Sequence, residues 1–359
     1  MNPAFWRGKR VFISGHTGFK GSWLCLWLQT LGAKVTGFAL PAVQQSLFKQ
    51  ANVAASMNSL TGDVRDLLAF KTAVAAAKPE IVIHMAAQAL VRESYKDPVN
   101  TYTTNVLGTV NLFEAVKSTP GVRAVVNVTT DKCYDNKEWV WAYRENEPLG
   151  GYDPYSSSKA CSELISASYR KSFFSDSNFD QHRVAVATAR AGNVIGGGDY
   201  AVGRLIPDIV SCFVTGKTLN IRYPKAIRPW QHVLEPLNGY LMLAQALFDH
   251  GSEFAQAWNF GPHLEDAQPV EWIVRHMADL WAAQTGAQAA WQIERGQHLH
   301  EAHNLRLDTS KAQSMLNWKP KLNIGTALEW VTQWYRDANQ GQSARELTFK
   351  QIQSYQNLT

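Results

Sequence analysis

Four cysteines in 359 residues are too few and too scattered to build a framework. Cys25, Cys133, Cys161 and Cys212 show neither paired spacing nor the close pairs of a metal site, so a disulfide scaffold and structural zinc are excluded and no metal is expected. Long apolar runs are missing too: none approaches the ~20 residues that a membrane-spanning helix needs. The stretch from Met1 to Arg10 has no apolar core of a secretory signal, and a cytoplasmic protein with reduced thiols is expected. Nor does one sign of charge dominate. The 35 lysines and arginines stand against 30 acids, a formal net charge of +5. The basic residues are scattered, without the stripe and interleaved aromatics that nucleic-acid binding requires. No repeat and no low-complexity segment is present. These absences leave a globular protein acting on small molecules.

What is present is an alternation of strand and helix. Apolar strand patterns stand at 11–14, 34–39, 57–61, 81–84 and 124–129, with helical patterns between them at 66–77 and 99–117, and a further strand at 183–190. Such alternation means an α/β fold with a doubly wound, Rossmann-type parallel sheet covered on both faces. From residue 193 onward glycine- and proline-marked loops separate shorter helices, expected at 204–213, 237–248, 270–285 and 324–339. The reading is a dinucleotide-binding domain at 1–192, with strand contributions from about 225–262, and a smaller substrate-binding lobe at 193–359. Gln340–Thr359 is polar with weak periodicity and reads as a tail or an interface arm. Of thirteen tryptophans, Trp23, Trp27, Trp272, Trp281, Trp330 and Trp334 fall in helical patterns beside other apolar residues, which marks them as packing residues.

The first strand, Val11-Phe12-Ile13-Ser14, runs into Gly15-His16-Thr17-Gly18-Phe19-Lys20-Gly21 and then a helical pattern. Strand, glycine turn and helix is the arrangement in which N–H groups at a helix start meet a pyrophosphate. The spacing, Gly15-x-x-Gly18-x-x-Gly21, differs from the G-x-G-x-x-G of most dinucleotide dehydrogenases. About 140 residues later comes Tyr155-x-x-x-Lys159. Residues four apart share a helix face, so the Lys159 ammonium can favour a Tyr155 phenolate and lower a pKa that starts near ~10. A tyrosine so tuned takes a proton from a sugar or alcohol hydroxyl. Thr130-Asp131-Lys132, at the end of the 124–128 run, adds an acid and an amine. An acid and a base beside a redox pair point to elimination as well as oxidation.

These motifs resemble those of the extended short-chain dehydrogenase/reductases, the family of nucleotide-sugar epimerases and 4,6-dehydratases. The resemblance runs from Arg7 to about Asn339. It is carried by GHTGFKGSW at 15–23, HMAAQALVRESYKDP at 84–98, TNVLGT at 104–109, TTDKCYDN at 129–136, YDPYSSSKACSE at 152–163 and ARAGNVIGGGD at 189–199. Within the family the chain most resembles the CDP-glucose 4,6-dehydratases, which carry Asp-Lys where many sugar-nucleotide dehydratases carry Asp-Glu. The resemblance implies NAD as cofactor, a nucleotide sugar (CDP-glucose) as substrate, a place in deoxysugar biosynthesis of the O-antigen type, and a homodimer or homotetramer. In the family the helices at 99–117 and 155–171 form the four-helix interface, which would use Val106, Val110, Phe113, Val116, Ala160, Leu164, Ile165 and Ala167.

The same resemblance assigns roles. Tyr155 is the base toward the sugar 4-hydroxyl, Lys159 its tuning cation and a holder of the nicotinamide ribose, and Thr130 a donor to the 4-oxygen. Gly15, His16, Thr17, Gly18, Phe19, Lys20, Gly21, Asp63, Val64, Ala86, Ala87, Gln88 and Thr104 line the NAD site, with Asp63 toward the adenine amino group. Asn193, Arg204, Arg228 and Glu301 are the substrate contacts, the two arginines being the diphosphate cations. Two features depart from expectation. The second strand ends Ala39-Leu40-Pro41, without the acid that meets the adenosine ribose in NAD-preferring folds and without an arginine for a 2'-phosphate. His16 and Lys20 put bulk and charge into the glycine turn, where ordinary affinity for the oxidised cofactor is still expected. Lys132 is read as the base of elimination, which requires its ordinary ~10.4 to fall by about three units. The competing reading makes it a cation stabilising an enolate. Other nucleotide-sugar dehydrations, an epimerase and a non-catalytic dinucleotide sensor stand as alternatives. An intact Thr130, Tyr155 and Lys159 argues against the sensor, and Asp131-Lys132 against the epimerase.

Overall fold

The computed structural model of the protein describes residues 1–294 and 304–358. The strands are β1 (Arg10–Ser14), β2 (Lys34–Ala39), β3 (Asn58–Thr61), β4 (Ile81–His84), β5 (Ala124–Val128), β6 (Ala185–Ala191), β7 (Asn193–Ile195), β8 (Leu219–Ile221), β9 (Ile227–His232), β10 (Ala257–Phe260), β11 (Ala267–Pro269) and β12 (Trp291–Ile293). Seven of them form one parallel sheet in the order β10-β6-β5-β4-β1-β2-β3. Strands this apolar must be covered on both faces, and successive side chains go to opposite sides. Val11, Ile13, Ile81, Ile83 and Val126 face the helices Phe19–Thr30 and Leu234–His250. Phe12, Val82 and Val125 face Phe70, Val74, Leu112 and Val116 of the helices Leu67–Ala77 and Gly108–Lys117. Among the described residues no helix is long and apolar enough to cross a membrane.

The second half adds a three-stranded sheet, β11-β9-β7, and the pair β12-β8. Of the segment 225–262, β10 joins the main sheet beside β6, whereas β9 lies in the small sheet. The expected single helix at 99–117 is broken into Pro98–Tyr102, a π-turn over Thr103–Leu107, and Gly108–Lys117. Turns of this type gather at functional sites. This one lies at the cleft: Asn105 Oδ1 accepts from Gln88 N–H (2.9 Å), and Asn105 Nδ2 donates to the Gln88 carbonyl and to Ser158 Oγ.

The last stretch, expected as a tail or an interface arm, forms a helix, Ala344–Asn357, capped by Ser343, whose Oγ accepts from Glu346 N–H. It buries Ala344, Leu347, Thr348, Ile352 and Tyr355, an i, i+3, i+4, i+8, i+11 stripe. The stripe hid in the sequence because Ala344 is small and Thr348 polar. Thr348 Oγ1 is satisfied internally, donating to the Ala344 carbonyl and accepting from Trp334 Nε1. The helix lies on Phe19–Thr30: Tyr355 meets the edge of Trp27 at 5.7 Å, and Arg345 bonds the carbonyls of Ala51 and Asn52 and the Gln29 amide oxygen.

Glu235 locks this helix from below. Its Oε1 accepts from Lys321 N–H (2.9 Å) and Leu322 N–H (2.8 Å), and its Oε2 from the Tyr355 hydroxyl (2.7 Å). Burial pushes the carboxyl from 4.5 up to about 7. A carboxyl raised on folding favours the native state fully below its unfolded value, and that contribution is lost as pH rises through the folded value. The difference is roughly 3 kcal/mol at pH 8. Glu235→Gln keeps an acceptor for both N–H groups and is expected to melt higher than the wild type at pH 8, with a smaller rise in melting temperature between pH 8 and pH 5. A wild-type melting temperature that gains nothing over that interval relative to the variant would contradict this.

Candidate active site

β1 ends at a glycine turn that no other residue could make. Gly15 has φ +77°, and a Cβ there would stand 2.6 Å from Ala86 N; a Cβ on Gly21 would stand 2.2 Å from the Gly15 carbonyl oxygen. Gly18 caps the Phe19–Thr30 helix without a side chain, so the first-turn N–H groups have no intrahelical acceptor. This is the construction of a pyrophosphate cradle. It opens into a cleft of about 1480 Å³, lined by Gly15, Thr17–Gly21, Asp63, Val64, Ala86, Ala87, Gln88 and Thr104 on one side. Thr130, Lys132, Tyr155 and Lys159 form its middle, and Asn193, Arg204 and Arg228 its far wall. Of the expected site residues, His16 and Asp131 do not line it, and Glu301 lies outside the described residues.

His16 turns its ring into the sheet. Its Nε2 pairs with Ser59 Oγ at 2.8 Å, Phe48 meets it edge-on, and a Cβ on Gly37 would stand 2.3 Å from its Cγ. Burial lowers it to about 4, so it is neutral. The expected bulk beside the pyrophosphate is therefore packing at the end of β2. Lys20 does enter the site. Its Nζ lies 3.5 Å from the Tyr240 hydroxyl, and burial followed by the nearby Lys159 and Arg204 charges lowers it to about 7. At the adenosine end Asp63 is held below the usual carboxylate range by Arg65, whose Nε donates to both carboxylate oxygens (3.0 and 2.8 Å). Arg65 also lines the cleft and bonds Asn100 Oδ1. Sequence reading missed it because it stands after β3 rather than β2.

The catalytic helix Pro154–Ser172 starts with proline at its first position and Asp153 as cap, accepting from Ser156 N–H (2.9 Å) and Ser156 Oγ (2.6 Å). Those are strong start signals, and they fix Tyr155 in the first turn. Lys159 stands one turn on and donates to the Val128 carbonyl at 3.0 Å. The expected depression of the phenol is not found. Burial holds Tyr155 up at about 12, opposed by the hydrogen bond with Thr130 and aggravated by the Asp131 charge. Lys159 is itself lowered to about 8 by burial, against the pull of Glu163. The shared face is real, but the Lys159 ammonium is drawn to the end of β5.

Thr130 caps the short turn Asp131–Cys133. Its hydroxyl donates to Asp131 Oδ1 at 3.0 Å, and Lys132 Nζ lies 3.6 Å from the same oxygen. Asp131 is fully buried, and its Oδ2 has no hydrogen-bond partner among the described residues. Lys132 is 29% exposed at the cleft. A carboxyl with one idle oxygen and an amine therefore stand side by side against Thr130 and Tyr155. On the far wall Arg204 pairs with Asp199 (2.9 Å), and Arg228 is buried with its Nη1 on the Ile227 carbonyl.

Beneath the site lies a fork that sequence reading passed over. Arg190 Nε and Nη2 each bond one oxygen of Glu163 at 2.9 Å, and both residues are 3% exposed. Thr129 and Thr188 donate to the same carboxylate, and Arg190 Nη1 reaches the Tyr134 hydroxyl. A buried pair this fully hydrogen-bonded fixes geometry more surely than it adds stability. It ties β5, β6 and the catalytic helix together on either side of the Thr130 turn. Its one sequence signal is Glu163, four residues beyond Lys159.

A parallel sheet with a glycine cradle at its carboxyl edge and a tyrosine–lysine pair on the facing helix defines an extended short-chain dehydrogenase/reductase. Residues 12–330 match the family described as GDP-mannose 4,6 dehydratase, and the chain belongs to that family. It is 52% identical over 360 residues to the CDP-glucose 4,6-dehydratase of Salmonella typhimurium, covering 100% of this chain and 99% of that one. A dTDP-glucose 4,6-dehydratase of Streptomyces antibioticus is 27% identical over 283 residues, 77% of this chain and 75% of that protein. Among solved structures, the dTDP-glucose 4,6-dehydratase of Streptomyces venezuelae with NAD and TYD bound superposes with a TM-score of 0.77 at 22% identity, over 92% of this chain and 98% of that one. That likeness bears on the fold.

Proposed function

We propose that the chain is an NAD-dependent CDP-glucose 4,6-dehydratase, converting CDP-glucose to CDP-4-keto-6-deoxyglucose with loss of water. The observation that carries this reading is Thr130 and Lys132 lining one cleft with Tyr155 and Lys159, with Asp131 buried directly behind them, in a chain 52% identical end to end to the Salmonella enzyme. The glycine cradle fits the pyrophosphate of NAD, which when bound supplies a hydride acceptor for sugar carbon 4 and a donor for carbon 6. Tyr155 removes the 4-hydroxyl proton while Thr130 orients the 4-oxygen. The Thr130 hydrogen bond and the Arg204 charge stabilise the phenolate that burial opposes. A ketone at carbon 4 acidifies the hydrogen on carbon 5. Lys132 takes that proton, and Asp131, beside it with Oδ2 unpartnered among the described residues, gives one to the departing 6-hydroxyl. Arg204 and Arg228 hold the diphosphate.

Purified protein incubated with CDP-, dTDP-, GDP- and UDP-glucose is expected to form the keto sugar, read by its absorbance in alkali, with CDP-glucose by a wide margin. Comparable turnover of another nucleotide sugar would overturn the substrate assignment, and turnover of none would overturn the dehydratase.

We also propose a homodimer or a dimer of dimers. Of the residues expected at the interface, Phe113, Val116 and Ala160 are buried within the chain. Apolar side chains left exposed on these neighbouring helices, the π-turn between them and the C-cap of the catalytic helix include Val99, Leu107, Leu164 and Phe173, from 44% to 71% exposed. A row of this kind marks an interface. Light scattering at micromolar concentration is expected to give at least twice the chain mass, and Leu164→Glu is expected to lower it. A monomeric wild type would refute this.

A further inference from the structure

Outside the catalytic turn, the two halves of the molecule also come together at the edge of the cleft around Gly203. Arg92 stands on the short helix Val91–Lys96, in the cofactor half. Its stem lies against Gly203 of the other half, where a Cβ would be 3.9 Å from Arg92 Cδ. Gly203 has φ +84°, a left-handed backbone that brings its N–H onto Asp208 Oδ1 at 3.1 Å. Asp208 lies on the helix Leu205–Thr215, and Arg92, Gly203 and Asp208 all line the cleft. The charges around them are engaged elsewhere: Glu93 with Lys96 at 2.7 Å, and Asp199 with Arg204 at 2.9 Å. Burial raises the Asp208 carboxyl, while the Gly203 N–H and the Arg92 charge pull it back.

We propose that Arg92 and Asp208 are positioning residues that pair across the mouth of the cleft and hold it closed between oxidation of the sugar and the return of its reducing equivalents. The proposal rests on the dehydratase reading above. A reaction that oxidises first and reduces last has a liability: an oxidised, dehydrated sugar that escapes leaves the enzyme holding reduced cofactor and unable to begin again. Closure that excludes water and retains both ligands removes it. The residues suit a closure device better than a binding role, because Arg92 is exposed and comes from the half opposite the substrate wall. Gly203 serves as the pivot, since its conformation strains any other residue.

The test uses the full chain with Arg92→Ala, Arg92→Lys, Asp208→Asn and the double variant Arg92→Ala/Asp208→Asn. Asparagine keeps an acceptor for the Gly203 N–H while removing the charge. Two quantities are read: the release rate of NADH from its complex with protein and CDP, by fluorescence, and the fraction of CDP-glucose turnovers that end with reduced cofactor. Each single loss of charge is expected to raise release about fivefold, as for a surface ion pair at the upper end of its range, and to increase the stranded fraction. Arg92→Lys should fall near the wild type, and the double variant should be no worse than either single one. Unchanged release in Arg92→Ala, or additive effects in the double variant, would overturn the pairing. Because release is measured without turnover, it separates this outcome from failure of the dehydratase reading, which would show only in the sugar assay.

Discussion

Tyr155→Phe is expected to lose oxidation of the sugar while keeping NAD. Only one oxygen is removed, from a side chain 9% exposed in the first turn of a helix fixed by Pro154 and Asp153, so the fold and the glycine cradle should stay intact. What disappears is the acceptor for the 4-hydroxyl proton, and losing a general base costs ~10²–10⁴-fold. The larger figure is expected because the 4-ketone is needed before either later step can begin. Cofactor affinity, read by equilibrium dialysis, should stay within about threefold of the wild type, roughly 0.65 kcal/mol and at the low end of what a lost uncharged hydrogen bond costs. No reduced cofactor should form when CDP-glucose is added. Near-normal turnover in the phenylalanine variant would show that another group is the base. In the wild type the oxidation step should accelerate as pH rises, since burial holds the phenol high.

The second large effect separates two roles for Lys132. With CDP-glucose deuterated at carbon 5, Lys132→Ala should still oxidise carbon 4, because Tyr155 and Lys159 are untouched, and should accumulate reduced cofactor. Elimination should slow by ~10²–10⁴-fold. Lys132→Glu should recover part of that loss, since a carboxylate in that place can accept the same proton. The structure sharpens the contest, because Lys132 Nζ lies 3.6 Å from an Asp131 oxygen. A glutamate there would stand beside the buried Asp131 carboxyl, negative against negative, so recovery by glutamate would come from its service as a base and not from its charge. If glutamate proves slower than alanine in the elimination step, Lys132 is a cation for the enolate and the base lies elsewhere.

The sequence was most legible where local chemistry and fold coincide. Gly15 and Gly21 stand where any Cβ would strike backbone, and Asp153-Pro154 announces the start of a helix whose next residue is the base. The inner strands β1, β4, β5 and β6 were readable as apolar runs, because burial on both faces leaves no alternation to obscure them. Contacts between distant parts of the chain were not. The run Trp23-Leu24-Cys25-Leu26-Trp27-Leu28 is buried all round, which demands a cover on the side away from the sheet. That cover, Ala344–Asn357, was read as a tail or an interface arm because alanine and threonine occupy its inner stripe. The Glu163–Arg190 fork and Asn105 were missed for the same reason: each acts on a partner from another element. The direction of the Tyr155 shift failed because a four-residue spacing gives a shared face but says nothing about the burial that holds the phenol up, nor about the Val128 carbonyl that holds the lysine.

The placement of β10 and the last helix has a consequence for modularity. β10 completes the main sheet from residues 257–260, and Ala344–Asn357 roofs the helix that begins at the cradle. A fragment ending at residue 192 would have the intact glycine turn in its sequence, yet β6 would present an unpaired edge and Trp27 would lose the Tyr355 ring against it. Open edges invite aggregation, so such a fragment is not a portable cofactor module. Chimeras that graft the sugar-binding half of a relative onto this cofactor half must carry β10 and the final helix with whichever half supplies the cradle. The natural crossover points are therefore discontinuous in the chain, and substrate preference in this scaffold is better recast through the loops on the far wall than by swapping halves.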